Sequence, residues 1–139
     1  MAVLYVRQLA WLNATPKGTD KPRRKQIDIA ADAQGCEPDY QLPDVGCAGY
    51  FIDLLSQVGE ARISGSELEP LDWSTLHAWQ VVTGAKISPG DAEAIIYLSS
   101  SYVTQYIKSM DSACMSPHME QPADDVESKI KAMVKMLKG

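Results

Sequence analysis

The chain has 139 residues, 45% of them hydrophobic and 22% charged, proportions that fit a single globular domain with its own core and not a disordered polymer. A net charge of −5 weighs against broad binding to DNA or to anionic membranes, which both need positive surface to displace counterions or meet lipid charge. No apolar run approaches the roughly 18 residues that a membrane-spanning helix requires.

The opening segment, MAVLYVRQLAWLN, resembles a secretory leader in its apolar content. It carries an arginine within the apolar stretch, lacks a preceding basic segment and offers no small-residue cleavage site, so an intracellular protein is expected. Three cysteines, Cys36, Cys47 and Cys114, agree, because an odd count without CxxC spacing does not describe a disulfide framework. Residues 2–13 fit a helix or a strand, since Val3, Val6 and Ala10 follow one period while Leu4 and Val6 follow another. ATPKGTDKPRRKQ then brings prolines, a glycine and a basic cluster (Lys21, Arg23, Arg24, Lys25), the chemistry of turns and solvated loops. CEPDYQLPD adds more prolines and acids. Residues 1–45 are therefore expected to be an irregular arm that wraps the domain or waits for a partner.

From Gly46 the pattern turns helical. Cys47, Phe51, Leu54, Leu55 and Val58 share one helix face, with Asp44 placed to cap it and Gly59 to stop it. EARISGSELEP reads as a loop. Asp72 then caps a run whose Leu76, Trp79 and Thr83 form a stripe with Val82 beside it, and Gly84 closes that run. Ser88 opens the next, with Pro89 at its first helical position and Asp91 able to reach back to the cap. Ala92, Ile95, Ile96, Ser99, Tyr102, Val103, Tyr106, Ile107 and Met110 carry the apolar stripe onward, and the small Ser99 would let another helix approach closely. After SMDSACMSPHMEQP, a final amphipathic helix is predicted, with Val126, Ile130, Met133, Val134 and Leu137 on one face, acids at its start and lysines at its end. Segments 46–58, 72–110 and 122–138 thus predict an all-α helical domain over 46–139. The expected architecture is a small helical bundle built around an αα-hairpin, with a less regular N-terminal arm.

The turn between the two central helices invites comparison with a helix-turn-helix. The would-be recognition helix starts Ser88, Pro89, Gly90, Asp91 and Glu93 and has no basic residue before Lys108, so acids would face phosphates. Nucleic acid is not an expected partner. Met110, Cys114, Met115, His118 and Met119 collect soft ligands, yet Cys36, Cys47, Cys114 and His118 lack paired chelating spacing. Methionines packing back on the core are expected there, and neither a metal nor another cofactor is expected. His77 and His118 lie in no nucleophile elbow or metalloprotease motif, and no glycine-rich phosphate loop occurs, so no enzyme is expected. The aromatics exceed what so small a core needs. Tyr97 falls off the main stripe, and rim aromatics bury much area with few rotors when they meet a partner.

The strings VGCAGYFIDLLSQVGEA and LDWSTLHAWQVVTGAKISPGDAEAIIYLSSSYV resemble the small tail assembly chaperones of long-tailed bacteriophages. The shared features are a tryptophan-bearing helix ending in Thr-Gly, a short turn with Ser-Pro, and an acidic helix start. That start leads into Leu98, Ser99 and Tyr102. Residues 43–107 carry the likeness; members of that family often have Trp-Glu after Ser-Pro, where this chain has Gly90 and Asp91. The resemblance implies a non-enzymatic protein of the host cytoplasm that holds the tape measure protein and recruits tail-tube protein, in families that often make a longer frameshifted form. The protein-contact residues expected are Trp73 and Tyr97 on the hairpin rim and Val126, Ile130, Met133 and Leu137 on the last helix, toward a partner helix or other copies of the chain. The rival expectations are a virion structural component (minor capsid, connector or tail protein) and a small regulator of a host protein.

Overall fold

The computed structural model describes residues 2–119. The expected last helix, with Val126, Ile130, Met133 and Leu137, lies outside the described residues. The described part is mostly helical: α1 (Ala2–Asn13), α2 (Arg23–Gln34), α3 (Gly49–Val58), a two-stranded hairpin of β1 (Arg62–Ser64) and β2 (Glu67–Glu69), α4 (Trp73–Thr83) and α5 (Pro89–Ser109). Single turns of 3-10 helix stand at Gly46–Ala48 and Pro117–Met119.

α5 is the axis, and it packs against α1, α3, α4 and β2. Its sequence signals operate as written: the Ser88 hydroxyl accepts from the Asp91 amide at 3.1 Å, and Pro89 occupies the first turn, where no intrahelical amide partner is lost. The reciprocal half of the expected capping box is absent. The Asp91 carboxylate instead accepts from the Tyr50 hydroxyl at 3.1 Å, which ties α3 to the start of α5 and raises the Tyr50 pKa. Ala92, Ile95, Tyr102 and Val103 enter one core with Leu54 and Leu55 of α3, Leu76 of α4, and Val6 and Ala10 of α1.

The expectation of an irregular N-terminal arm is overturned. α1 and α2 are regular helices, and Val6, Ala10 and Leu12 are fully buried. α1 lies along α5, and this explains its ambiguous pattern. A helix covered on more than one side needs apolar residues all round, so no single stripe marks it. The same contact corrects the stripe of α5. Leu98, Gln105 and Ser109 are buried, with Gln105 accepting from Arg7 of α1 at 3.0 Å, while Ile107 and Met110 at the end of the predicted stripe stay exposed.

Arg23 and Arg24 of the basic cluster are likewise part of the fold, while Lys21 and Lys25 are exposed. Arg23 is buried and donates to the carbonyls of Trp11 (3.2 Å) and Asp111 (3.0 Å), with its guanidinium 4.8 Å from the centre of the Trp11 ring. Burial lowers its pKa, opposed by Cys114 and Asp111. Arg24 lies over the Tyr40 ring at 5.4 Å. Residues 36–45 remain without regular structure, as expected, held at Tyr40 by bonds to Asp28 and from Gln8.

The segment expected to be a loop before α4 forms the β1–β2 hairpin, with Arg62 opposite Glu69 and Ser64 opposite Glu67. Gly65 makes this two-residue turn feasible, because its φ of +65° at the first turn position would strain any residue with a Cβ. Ser99 closes the ends of the hairpin. Its hydroxyl accepts from the Leu71 amide at 2.8 Å and donates to the Glu60 carbonyl at 2.7 Å. The small side chain that was expected to admit a neighbouring helix therefore serves two buried backbone groups. Ser99→Ala should cost about 1–3 kcal/mol of unfolding free energy, by leaving those groups without a partner in an apolar setting. Urea denaturation measures it, and an unchanged midpoint would contradict the assignment.

Candidate polypeptide-contact surface

α4 has a conventional start and stop. Asp72 accepts from the Thr75 amide (2.8 Å) and hydroxyl (2.7 Å), and Gly84 takes the left-handed conformation at φ +74° while donating to the Gln80 carbonyl. The bonds from Thr75, aided by Arg62 3.5 Å away, hold the Asp72 carboxyl below its ordinary pKa. A depressed pKa in the fold means that this cap stabilises above the unfolded value and is lost as pH falls through the folded one. Asp72→Asn should therefore differ from the parent chain in thermal midpoint at neutral pH, and the difference should shrink as pH drops below about 4. A difference that stays constant with pH would contradict this linkage.

Between these caps, Trp73–Thr83 contains no charged residue. Only Leu76 is fully buried; Trp79 and Gln80 are half-buried. The Gln80 side chain accepts from the Ile87 amide at 3.1 Å and folds the 84–88 turn back onto α4. Gln80 thus takes the inner position expected of Thr83, whose hydroxyl returns to the Trp79 carbonyl at 2.7 Å. The outer side of α4 presents two i, i+4, i+8 rows, Trp73–His77–Val81 and Ser74–Ala78–Val82, and every member is exposed. Trp73 retains 55% of its surface, Val81 70% and Val82 84%. In a chain of net charge −5, this helix face is neutral and largely apolar.

Tyr97, on the side of α5 away from the core, is 63% exposed. Both described residues of the expected contact set thus stand in solvent, and they make no ring contact with each other. Val81 and Val82 were missed as contact residues because valines in a helix ordinarily signal core. Their signal was available: two adjacent valines beyond the Leu76 stripe cannot both point inward on a helix.

A second apolar surface lies between the hairpin and the end of α5. Ile63 and Leu68 face Tyr106, Ile107 and Met110 across a groove of about 540 Å³ edged by Glu67. No sequence signal identified it, because the hairpin was not foreseen.

The soft-ligand run is placed otherwise than expected. Met115 and Met119 are exposed, and Ser116 and Pro117 pack inward instead. Ser116 donates to Gln8 Oε1 at 2.7 Å and the His118 amide to the same oxygen at 3.2 Å, while Gln8 donates to the Tyr40 carbonyl at 3.0 Å. The Trp11 indole donates to the Cys114 carbonyl at 3.0 Å, and the Lys17 amide to the Met110 carbonyl at 2.9 Å. Polar anchoring to α1, not methionine packing, fixes residues 110–119. Among the described residues no three His, Cys, Asp or Glu side chains gather as a metal site would require. His77 and His118 are both exposed, and none of the described helices is long and apolar enough to cross a membrane. Compared with known protein families, curated proteins and solved structures, the chain matches none.

Proposed function

We propose that this chain is a phage tail assembly chaperone, a non-enzymatic protein that grips the tape measure protein and tail-tube protein during tail morphogenesis in the host cytoplasm. The observation that carries the proposal is the neutral outer face of α4, where Trp73, Val81 and Val82 remain exposed on a capped helix. Such a face suits a long, apolar, aggregation-prone helix, because it covers apolar surface by helix-to-helix contact without desolvating charge. The fit with the family likeness is in kind: an assembly chaperone must hold its client reversibly, and a few exposed large side chains give a contact that later steps can break.

The test is co-expression with a phage tape measure protein. The proposal expects a complex in pull-down and a larger soluble fraction of the tape measure protein. No complex and no gain in solubility would overturn it. Assembly chaperones leave the finished particle, so recovery of the chain in purified virions would instead favour a structural component of the tail or capsid.

A further inference from the structure

We infer that the cleft between α1, α2 and α3 binds a basic α-amino acid. The cleft measures about 270 Å³. Val6 and Leu9 of α1 and Ile52 and Leu55 of α3 give it an apolar floor. Around that floor stand five polar side chains: Tyr5 of α1, Arg24 of α2, Asp53 and Ser56 of α3, and Glu60 just beyond it. An apolar floor with a few convergent polar groups is the usual make-up of a small-molecule site.

These polar groups are not engaged with one another. None of the five side chains makes a hydrogen bond or an ion pair with another described residue. Arg24 Nε is the one buried side-chain nitrogen or oxygen of the described residues without a hydrogen-bond partner. Buried polar atoms are nearly always paired, so this exception points to a guanidinium whose acceptor is not supplied by the fold. Its contact with the Tyr40 ring provides no oxygen acceptor. The neighbouring charges are engaged elsewhere: Asp28 accepts from the Tyr40 hydroxyl, Arg23 donates to two carbonyls, and Arg7 donates to Gln105.

Charge selects the ligand. One cation, Arg24, and two carboxylates, Asp53 and Glu60, line the cleft, and they stand apart instead of pairing. A basic amino acid presents the inverse set. It carries a carboxylate for Arg24 and two cationic groups for Asp53 and Glu60, joined by an aliphatic stem that covers the apolar floor. The Tyr5 and Ser56 hydroxyls add neutral hydrogen bonds. A neutral or acidic amino acid would leave a carboxylate of the cleft facing no cation, and Glu60 is half-buried. No residue of the α4 contact face lines this cleft, so the assignment does not depend on a role in tail assembly.

Calorimetric titration of the full chain with L-arginine tests it. One-to-one binding with a dissociation constant of about 1 mM or below is expected. L-Argininamide, whose carboxylate is replaced by a neutral amide, and L-citrulline, whose side chain is uncharged, should each bind at least about tenfold more weakly. Asp53→Asn and Glu60→Gln remove one charge each with little change in shape, and each should weaken L-arginine binding at least about fivefold. Asp53 is exposed, so its variant should melt with the parent chain and keep the test valid if Glu60→Gln is less stable. No binding of L-arginine would overturn the assignment. So would equal binding of L-argininamide or L-citrulline, or an unchanged affinity in Asp53→Asn and Glu60→Gln alike.

Discussion

Removal of Ala2–Asn13 should abolish the cooperative thermal transition of the chain. An irregular arm would be dispensable, but α1 supplies Val6, Ala10 and Leu12, each with no exposed surface. Val6 and Leu12 alone represent about 3–6 kcal/mol of burial, a large share of the roughly 5–15 kcal/mol by which ordinary domains are stable. The deletion also uncovers polar groups that α1 shields. Buried Gln105 loses the 3.0 Å bond from Arg7, and the Tyr102 hydroxyl, whose burial raises its pKa, loses the 3.0 Å bond from Asn13. Circular dichroism melting should show no sigmoidal transition. A transition within a few degrees of that of the full chain would mean that the rest of the chain folds without α1 and that α1 is an ornament.

Gln8→Leu should destabilise by about 3–5 kcal/mol, although leucine matches the site in size and apolarity. A leucine at position 8 would look natural in a sequence as apolar as α1. The glutamine is 1% exposed and is the hub of three segments: it accepts from Ser116 and from the His118 amide, and donates to the Tyr40 carbonyl. Its replacement leaves Ser116 and the Tyr40 carbonyl without these partners, and it frees both the 36–45 segment and the chain that follows α5. Chemical denaturation gives the magnitude. Faster exchange at residues 112–119 with the α5 core unchanged would show the strap releasing first. A variant as stable as the parent would contradict the hub role.

The legible parts of the fold were those whose physics is local. Asp72, Gly84, Ser88 and Pro89 mark helix ends through backbone groups within a few residues, and the structure uses each of them. Gly59 follows the last residue of α3, but Asp44 does not cap that helix: its carboxylate accepts only from the Gly46 amide at 3.0 Å, and the N-cap positions of the 3-10 turn and of α3 are Val45 and Ala48, neither with a side-chain bond. What was not legible depends on distant partners. α1 reads ambiguously because two surfaces bury it. Arg23 looked like a solvated charge because its acceptors, the Trp11 and Asp111 carbonyls, lie 12 and 88 positions away. Each strand of the β-hairpin has only three residues, too few for alternation to emerge. Of the contact set, exposure of Tyr97 followed from its place off the core stripe and Trp73 was expected on the rim, whereas the Ile63–Ile107 groove required knowing that residues 62–69 fold back.

The most direct measurement is a calorimetric titration of the tape measure protein's helical region with the parent chain and with the double variant Trp73→Lys, Val82→Lys. Contact through the outer face of α4 predicts a complex with the parent chain and at least about tenfold weaker binding for the variant, with both proteins melting alike. Equal affinity in the two proteins, or no heat of binding with either, would contradict it.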